Sequence, residues 1–247
     1  MKPVFVKTSN YERFNNGMRV VEGRGAMEAS MMLVMGRPGY GKSEMVERWS
    51  IQNAAIHLRA PVNWTPTAFM KALAEELRLD SSGFYKDIRP RVTGYLGRHQ
   101  DTVIVIDELD NCMDAGAAVL EAVRDITDLT EIIVILVGME HAQSKLSRYP
   151  QIMRRISSVV HFQPATLEDV RAICTQKAEV EISEDLIREI HTQSRGLVSE
   201  IVNAIRIVER QAALNEQKKI TLADMKNRDL ILNTWQAART RPAAGVK

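Results

Sequence analysis

The chain has 247 residues, enough for one large α/β domain or for such a domain joined to a small helical one. No apolar stretch approaches the roughly 20 residues of a membrane span, and Met1-Lys2-Pro3-Val4-Phe5 carries no long apolar signal core, so the expectation is a cytoplasmic protein with no membrane partner. Cys112 and Cys174 are too few for a disulfide framework or, with scattered histidines, a four-ligand zinc site, and 33 basic against 31 acidic residues neither demand nor exclude nucleic acid.

Residues 1–8 read as extended through Val4, Phe5 and Val6. Tyr11, Phe14, Met18 and Val21 then recur at helical spacing, with Ser9 or Asn10 as N-cap. Met31-Met32-Leu33-Val34-Met35 is a short apolar run suited to a buried strand. It runs into Gly36-Arg37-Pro38-Gly39-Tyr40-Gly41-Lys42-Ser43, a full match to the phosphate-binding pattern G-x-x-x-x-G-K-[ST]. Glu44, Met45, Val46 and Trp49 continue as an amphipathic helix. A strand, a glycine-rich turn and a helix N-terminus make a concave set of backbone N–H groups with positive potential, for which polyphosphate is the natural occupant. Gly36 to Glu44 are therefore the candidate nucleotide-binding residues, with Lys42 reaching the β- and γ-phosphates and the Ser43 hydroxyl ligating Mg²⁺. A chance Gly/Lys turn lacks the flanking strand and helix found here.

Ala54 to Leu58 is a second strand run, broken by Pro61 to Pro66. A helix is predicted from about Thr67 to Leu79, ended by Ser81-Ser82-Gly83, and a further amphipathic segment from Phe84 to Arg98, which Pro90 and Gly94 should interrupt or shorten. Val103-Ile104-Val105-Ile106 has the continuous β-branched character of a strand buried on both faces, and it delivers Asp107 and Glu108 to its C-terminal end. Open α/β sheets place ligand groups there, so Asp107 becomes the second candidate Mg²⁺ ligand and Glu108 the residue that polarises a water. Acidic turns are common, and this pair gains meaning only with the glycine-rich loop upstream. A helix from Gly116 to Leu129, a strand from Ile132 to Val137 ending at Gly138-Met139, a short Arg-rich helical stretch from Leu146 to Ile156 and a last strand from Val159 to Phe162 follow. Beyond Gln163-Pro164, Thr166-Leu167-Glu168-Asp169 is an N-cap signature and no further strong strand run appears. Helices are predicted at about 166–179, 183–193 and 197–216, with another from near Thr221. The predicted division is 1–164 α/β, 165–232 a helical lid and 233–247 a disordered basic tail.

Five strand candidates, the glycine-rich loop, the Asp-Glu pair and a small helical lid resemble an AAA+ ATPase: an α/β fold with a five-stranded parallel sheet flanked by helices, plus a small C-terminal all-helical lid. Leu136-Val137-Gly138-Met139, Leu146-Ser147-Arg148-Tyr149-Pro150-Gln151-Ile152, Arg154-Arg155-Ile156 and Phe162-Gln163-Pro164-Ala165-Thr166 are similar to the transposition protein B family of Mu-like phages, and more distantly to the TniB, TnsC and IstB transposition ATPases. The resemblance implies a phage- or prophage-encoded, ATP-dependent, non-sequence-specific binder of double-stranded DNA in a bacterial host. Such a protein forms a homo-oligomer, a helical filament or a ring, and recruits a DDE transposase. It also implies that Lys42, Asp107 and Glu108 are catalytic and that an arginine finger comes from Arg154 or Arg155, with Arg148 nearby. Met139 stands where many AAA+ proteins have a polar sensor residue, and only Arg195 or Arg206 could serve as the lid arginine.

Lys86, Arg89, Arg91 and Arg98 against Asp87 give a local excess of basic charge between residues 86 and 98, preceded by Arg59, Asn63 and Lys71. Arg59, Asn63, Lys71, Lys86, Arg89 and Arg91 are the candidate DNA-binding residues; a solvated basic helix face is the bland alternative. A helicase-loader or replication-initiation ATPase and a non-hydrolysing nucleotide switch remain as other functional classes, the latter opposed by the intact Asp107-Glu108 pair.

Overall fold

The computed structural model describes residues 1–114, 117–225 and 230. The chain divides into two compact units, one of Asn10 to Gln163, the other of residues 1–9 with everything from Pro164 onward.

The first unit alternates helix and strand. In chain order it comprises α1 (Ser9–Glu22, whose first residue counts with the other unit), β1 (Met31–Met35), α2 (Lys42–Gln52), β2 (Ile56–Arg59), α3 (Pro66–Glu76), α4 (Tyr85–Leu96), β3 (Val103–Asp107), α5 (Leu109–Asp114), α6 (Ala118–Thr130), β4 (Ile133–Gly138), α7 (Ala142–Leu146), α8 (Pro150–Met153) and β5 (Ile156–His161). All five strands pair in parallel, in the order β2-β3-β4-β1-β5. β1 is fully buried, as its unbroken apolar run requires of a strand covered on both faces. Met31, Leu33 and Met35 join Phe69, Leu73, Ile88, Val92, Leu120 and Val123 in one core. Residues that alternate with them point to the opposite face. Phe14 of α1 and Trp49 of α2 meet edge to face there at 5.2 Å.

Pro90 does not interrupt α4, and Gly94 does not shorten it. Pro90 lies midway along the helix on its exposed side, and the one backbone hydrogen bond it forfeits does not break the helix. Ile88, Val92 and Leu96 still bury one face. α5 has no counterpart in the predicted elements, being too short to show a period.

In the second unit, α9 (Leu167–Lys177), α10 (Glu184–Ser194) and α11 (Val198–Leu214) surround a core of Val170, Ile173, Ile190, Ile201, Ile205 and Val208. The Thr166 hydroxyl accepts from the Asp169 N–H and the Asp169 carboxylate from the Thr166 N–H, the expected capping box. Asp169 also accepts from the Ser9 N–H and hydroxyl, both at 2.7 Å. The Lys2 N–H donates to the Lys177 carbonyl and Val6 is buried in the same core, which ties residues 1–9 to this unit. A parallel pair of two-residue strands, β6 (Glu181–Ile182) and β7 (Lys219–Ile220), adds strand structure to an otherwise helical unit. Strands this short carry no readable periodicity. A 3₁₀ turn over Leu222–Met225 follows; the rest of the helix expected near Thr221 and the 233–247 tail lie outside the described residues. No described helix is long and apolar enough to cross a membrane.

Candidate nucleotide-binding site

In a parallel sheet every strand ends at the same edge, and here β4 lies between β1 and β3. The edge therefore gathers the loop after β1, the acids after β3 and the turn after β4. Gly41 caps α2 in the left-handed region, with φ 82° and ψ 16°, and no side chain caps the first turn. The amides of that turn are left for an anion, which the helix dipole favours. A Cβ on Gly36 would sit 2.9 Å from Phe162 Cβ and 3.0 Å from its carbonyl oxygen, so the loop base accepts no side chain. Lys42 Nζ donates to the carbonyls of Gly36 at 2.6 Å and Arg37 at 3.0 Å. Burial lowers the Lys42 pKa, opposed by the charges of Asp107, Asp110 and Glu140. Ser43 and Glu44 are exposed at the start of α2, and Arg37, Pro38, Gly39 and Tyr40 form the arch between.

Asp107 ends β3 and is 5% exposed; its Oδ1 accepts the Glu108 N–H at 2.7 Å. Glu108 has φ 58°, a left-handed conformation that is uncommon for a side-chain-bearing residue and concentrates at functional sites. Both its carboxylate oxygens are engaged. Oε1 pairs with Arg59 Nη2 at 2.5 Å, and Oε2 accepts from Asn111 Nδ2 at 3.2 Å. Asn111 Nδ2 also donates to the Ala60 carbonyl at 2.8 Å, and the Ala60 N–H donates to the Asp107 carbonyl at 2.9 Å. The loop that leaves β2 is thus wired to both acids.

The residues present fit a magnesium nucleotide: a loop base closed to side chains at Gly36, an uncapped helix start, a partly desolvated ammonium and a buried carboxylate on one sheet edge. Among the described residues no group of three or more His, Cys, Asp or Glu is arranged to hold a metal by itself.

The remaining candidates separate. Arg154, the C-cap residue of α8, is exposed and makes no ion pair among the described residues, whereas Arg155 is held bidentately by Asp128 of α6, at 2.8 and 3.0 Å. Arg148 is exposed. Of the basic set, Arg59 is paired with Glu108, Arg89 with Asp125 at 2.5 Å and Arg91 with Asp80 at 3.1 Å, and Arg91 also donates to the carbonyls of Asp80 and Ser82. Asn63, at φ 59° in the loop after β2, and Lys71 and Lys86 are exposed. In the second unit Arg195 caps α10 and Arg206 is exposed on α11. Sequence reasoning did not single out Asn111, Asp110 or Glu140. Asn111 lies one helical turn beyond Glu108, a signal that was available; Glu140 is brought to the loop only by strand order.

Residues 25–146 match a protein-family model described as an AAA domain. No curated protein matches the chain in sequence. Among solved structures, Cdc6p of Pyrobaculum aerophilum is similar over 91% of this chain and 68% of its own, at 17% identity and a TM-score of 0.63. The ORC1 protein of Aeropyrum pernix, solved in complex with DNA, covers 89% of this chain at 17% identity and a TM-score of 0.60, with 64% of its own length matched. The RuvB Holliday junction branch migration motor of Thermotoga maritima matches 89% of this chain and 69% of its own at 19% identity, with a TM-score of 0.59. The fold is that of AAA+ P-loop ATPases.

Proposed function

We propose that the chain is a Mg²⁺-dependent ATPase that works on double-stranded DNA. The observation that carries the reading is the convergence of Lys42, Ser43, Asp107 and Glu108 on one edge of the sheet. Lys42 would neutralise phosphate charge, Ser43 and Asp107 would hold Mg²⁺, and Glu108, once one oxygen is released, would take the proton of the attacking water. Bound Mg²⁺ would supply charge neutralisation across the β- and γ-phosphates. Arg154 is the better placed finger for a neighbouring subunit, since Arg155 is committed to Asp128.

The more specific role is target selection in DNA transposition: ATP-dependent filaments on DNA that recruit a DDE transposase. Its support is the resemblance carried by Arg148-Tyr149-Pro150-Gln151 and the stretches around it. DNA contact would fall to Asn63, Lys71 and Lys86, with the paired arginines available only by exchange of partners. The fold likeness to Cdc6p and ORC1 supports a second reading, replication initiation or helicase loading.

Purified protein with Mg·ATP should hydrolyse it and coat DNA of any sequence, and ADP should not support coating. Strand transfer into the coated DNA by a DDE transposase from the same element supports the transposition role. A protein that instead loads a replicative helicase supports the second reading, and one without hydrolysis overturns the ATPase reading.

A further inference from the structure

Met35 and Gly138 are register partners, so the turn after β4 starts directly beside the phosphate loop. It is pinned on both sides: the Met139 N–H donates to Asp110 Oδ2 at 2.8 Å, and the Gln143 N–H to Met35 Sδ at 3.2 Å. From this fixed turn the Glu140 carboxylate meets Arg37 of the phosphate loop, Oε2 to Nε at 2.7 Å. The other carboxylate oxygen lies 3.4 Å from His141 Nε2. The two cations of the loop therefore have unlike partners. Lys42 rests on the neutral carbonyls of Gly36 and Arg37, whereas Arg37 rests on a full negative charge.

We propose that Glu140 is a charge gate on the phosphate loop: it holds Arg37 while the loop is empty and opposes polyphosphates in proportion to their charge, so that a nucleoside triphosphate binds by exchanging the Arg37 guanidinium from carboxylate to phosphate. The inference rests on the nucleotide reading above and adds a selectivity element to it. A guanidinium fork suits carboxylate and phosphate oxygens alike, so the two compete for the same donors. The carboxylate then repels a triphosphate more than a diphosphate, because the Coulomb energy grows with the charge brought near it. The field of Glu140 extends to Lys42, where it helps retain the proton that burial disfavours. Because the pair is well exposed, the effect is modest and screened by salt.

The test is equilibrium binding of Mg·ATP and Mg·ADP to wild type, Glu140→Gln, Arg37→Gln and the double variant. Both residues are exposed, and matching circular dichroism spectra are the control for intact folds. Glu140→Gln should bind ATP about three- to tenfold tighter, with a smaller gain for ADP, and the gain should shrink as salt rises from about 0.05 to about 0.5 M. Arg37→Gln should weaken ATP, and on that background Glu140→Gln should still recover the part due to direct repulsion but not the part that comes from freeing the guanidinium. Unchanged or weaker ATP binding by Glu140→Gln, or an equal gain for ATP and ADP, overturns the gate. Wild type that binds neither nucleotide better than Lys42→Ala is a different failure: it removes the nucleotide reading, and the gate with it.

Discussion

The phosphate edge of the sheet and the basic stretch from Arg59 to Arg98 are both rich in charge, yet the fold treats their charges in opposite ways. At the edge, side chains far apart in sequence converge, and burial works on them: Lys42 loses water and Asp107 is nearly inaccessible. Along α3 and α4 the sequence excess of cations is cancelled locally, by Asp125 for Arg89 and by Asp80 for Arg91. Arg89 meets its carboxylate on α6, and Arg91 meets one in the loop before α4. The lysines are left to the solvent. A count of basic residues along a chain therefore overstates the field that a phosphate backbone would meet.

The contrast breaks most sharply on Glu108 and Lys42. If the edge is a hydrolytic site, Glu108→Gln should keep nucleotide binding and lose roughly 10²- to 10⁴-fold in turnover, because only water activation is removed. Lys42→Ala should lose binding as well, since it removes the cation that meets the phosphates. Steady-state hydrolysis and a fluorescent-nucleotide titration check both. Turnover at the wild-type rate in Glu108→Gln would remove Glu108 from its role.

The same contrast holds between two neighbours in sequence. Arg154 is exposed and available, Arg155 is committed to Asp128. Arg154→Ala should cut DNA-stimulated hydrolysis by roughly 10²-fold without affecting nucleotide binding. Arg155→Ala should act on stability, by less than about 1 kcal/mol, as a pair near the surface does. Mixing Arg154→Ala with Lys42→Ala, each inactive alone, should restore some activity if the arginine acts across subunits. A chemical melt for Arg155→Ala and the mixing assay for Arg154→Ala separate the roles; reversed outcomes would exchange the assignments.

Much of the edge was legible because its groups are contiguous or end a strongly patterned strand. Gly36 to Ser43 is one unbroken motif, and Asp107-Glu108 closes a run of β-branched residues. The ion pairs were not legible. Arg37 meets Glu140 and Arg59 meets Glu108 only because β1 neighbours β4 and β2 neighbours β3, a strand order that no local pattern encodes. Pro90 misled for a related reason: a rule about local hydrogen bonds gave way to the burial of Ile88, Val92 and Leu96. In the second unit, β6 and β7 are stabilised by their pairing and by Ile220 in the core, not by any propensity that two residues could show.

If the local cancellation along α4 is real, DNA affinity should depend on the lysines more than on the arginines. Lys71→Ala and Lys86→Ala should each flatten the dependence of log affinity on log salt by about one unit and weaken binding alike for every sequence. Arg89→Ala and Arg91→Ala should change the slope less. Equal slopes for all four variants would show that the arginines leave their carboxylates for phosphate.

Arg59 belongs to both regions and gives the finest test of the comparison. It was a candidate DNA contact, and in the structure it occupies one oxygen of Glu108 while Asn111 occupies the other. A carboxylate with both oxygens engaged is a poor acceptor for a water proton, so the pair should restrain basal hydrolysis. The restraint is small, because Arg59 is largely exposed and solvent screens the contact. Arg59→Ala should therefore raise basal turnover by about two- to fivefold and reduce the further stimulation by DNA, whose phosphates compete with Glu108 for the guanidinium. The DNA salt slope should change little, as the pairing already removes Arg59 from the free charge of the surface. A loss of turnover in Arg59→Ala would mean that the arginine positions Glu108 for catalysis, and a slope lower by a full unit would return it to the DNA-binding face. Measuring both on the same protein distinguishes the three roles.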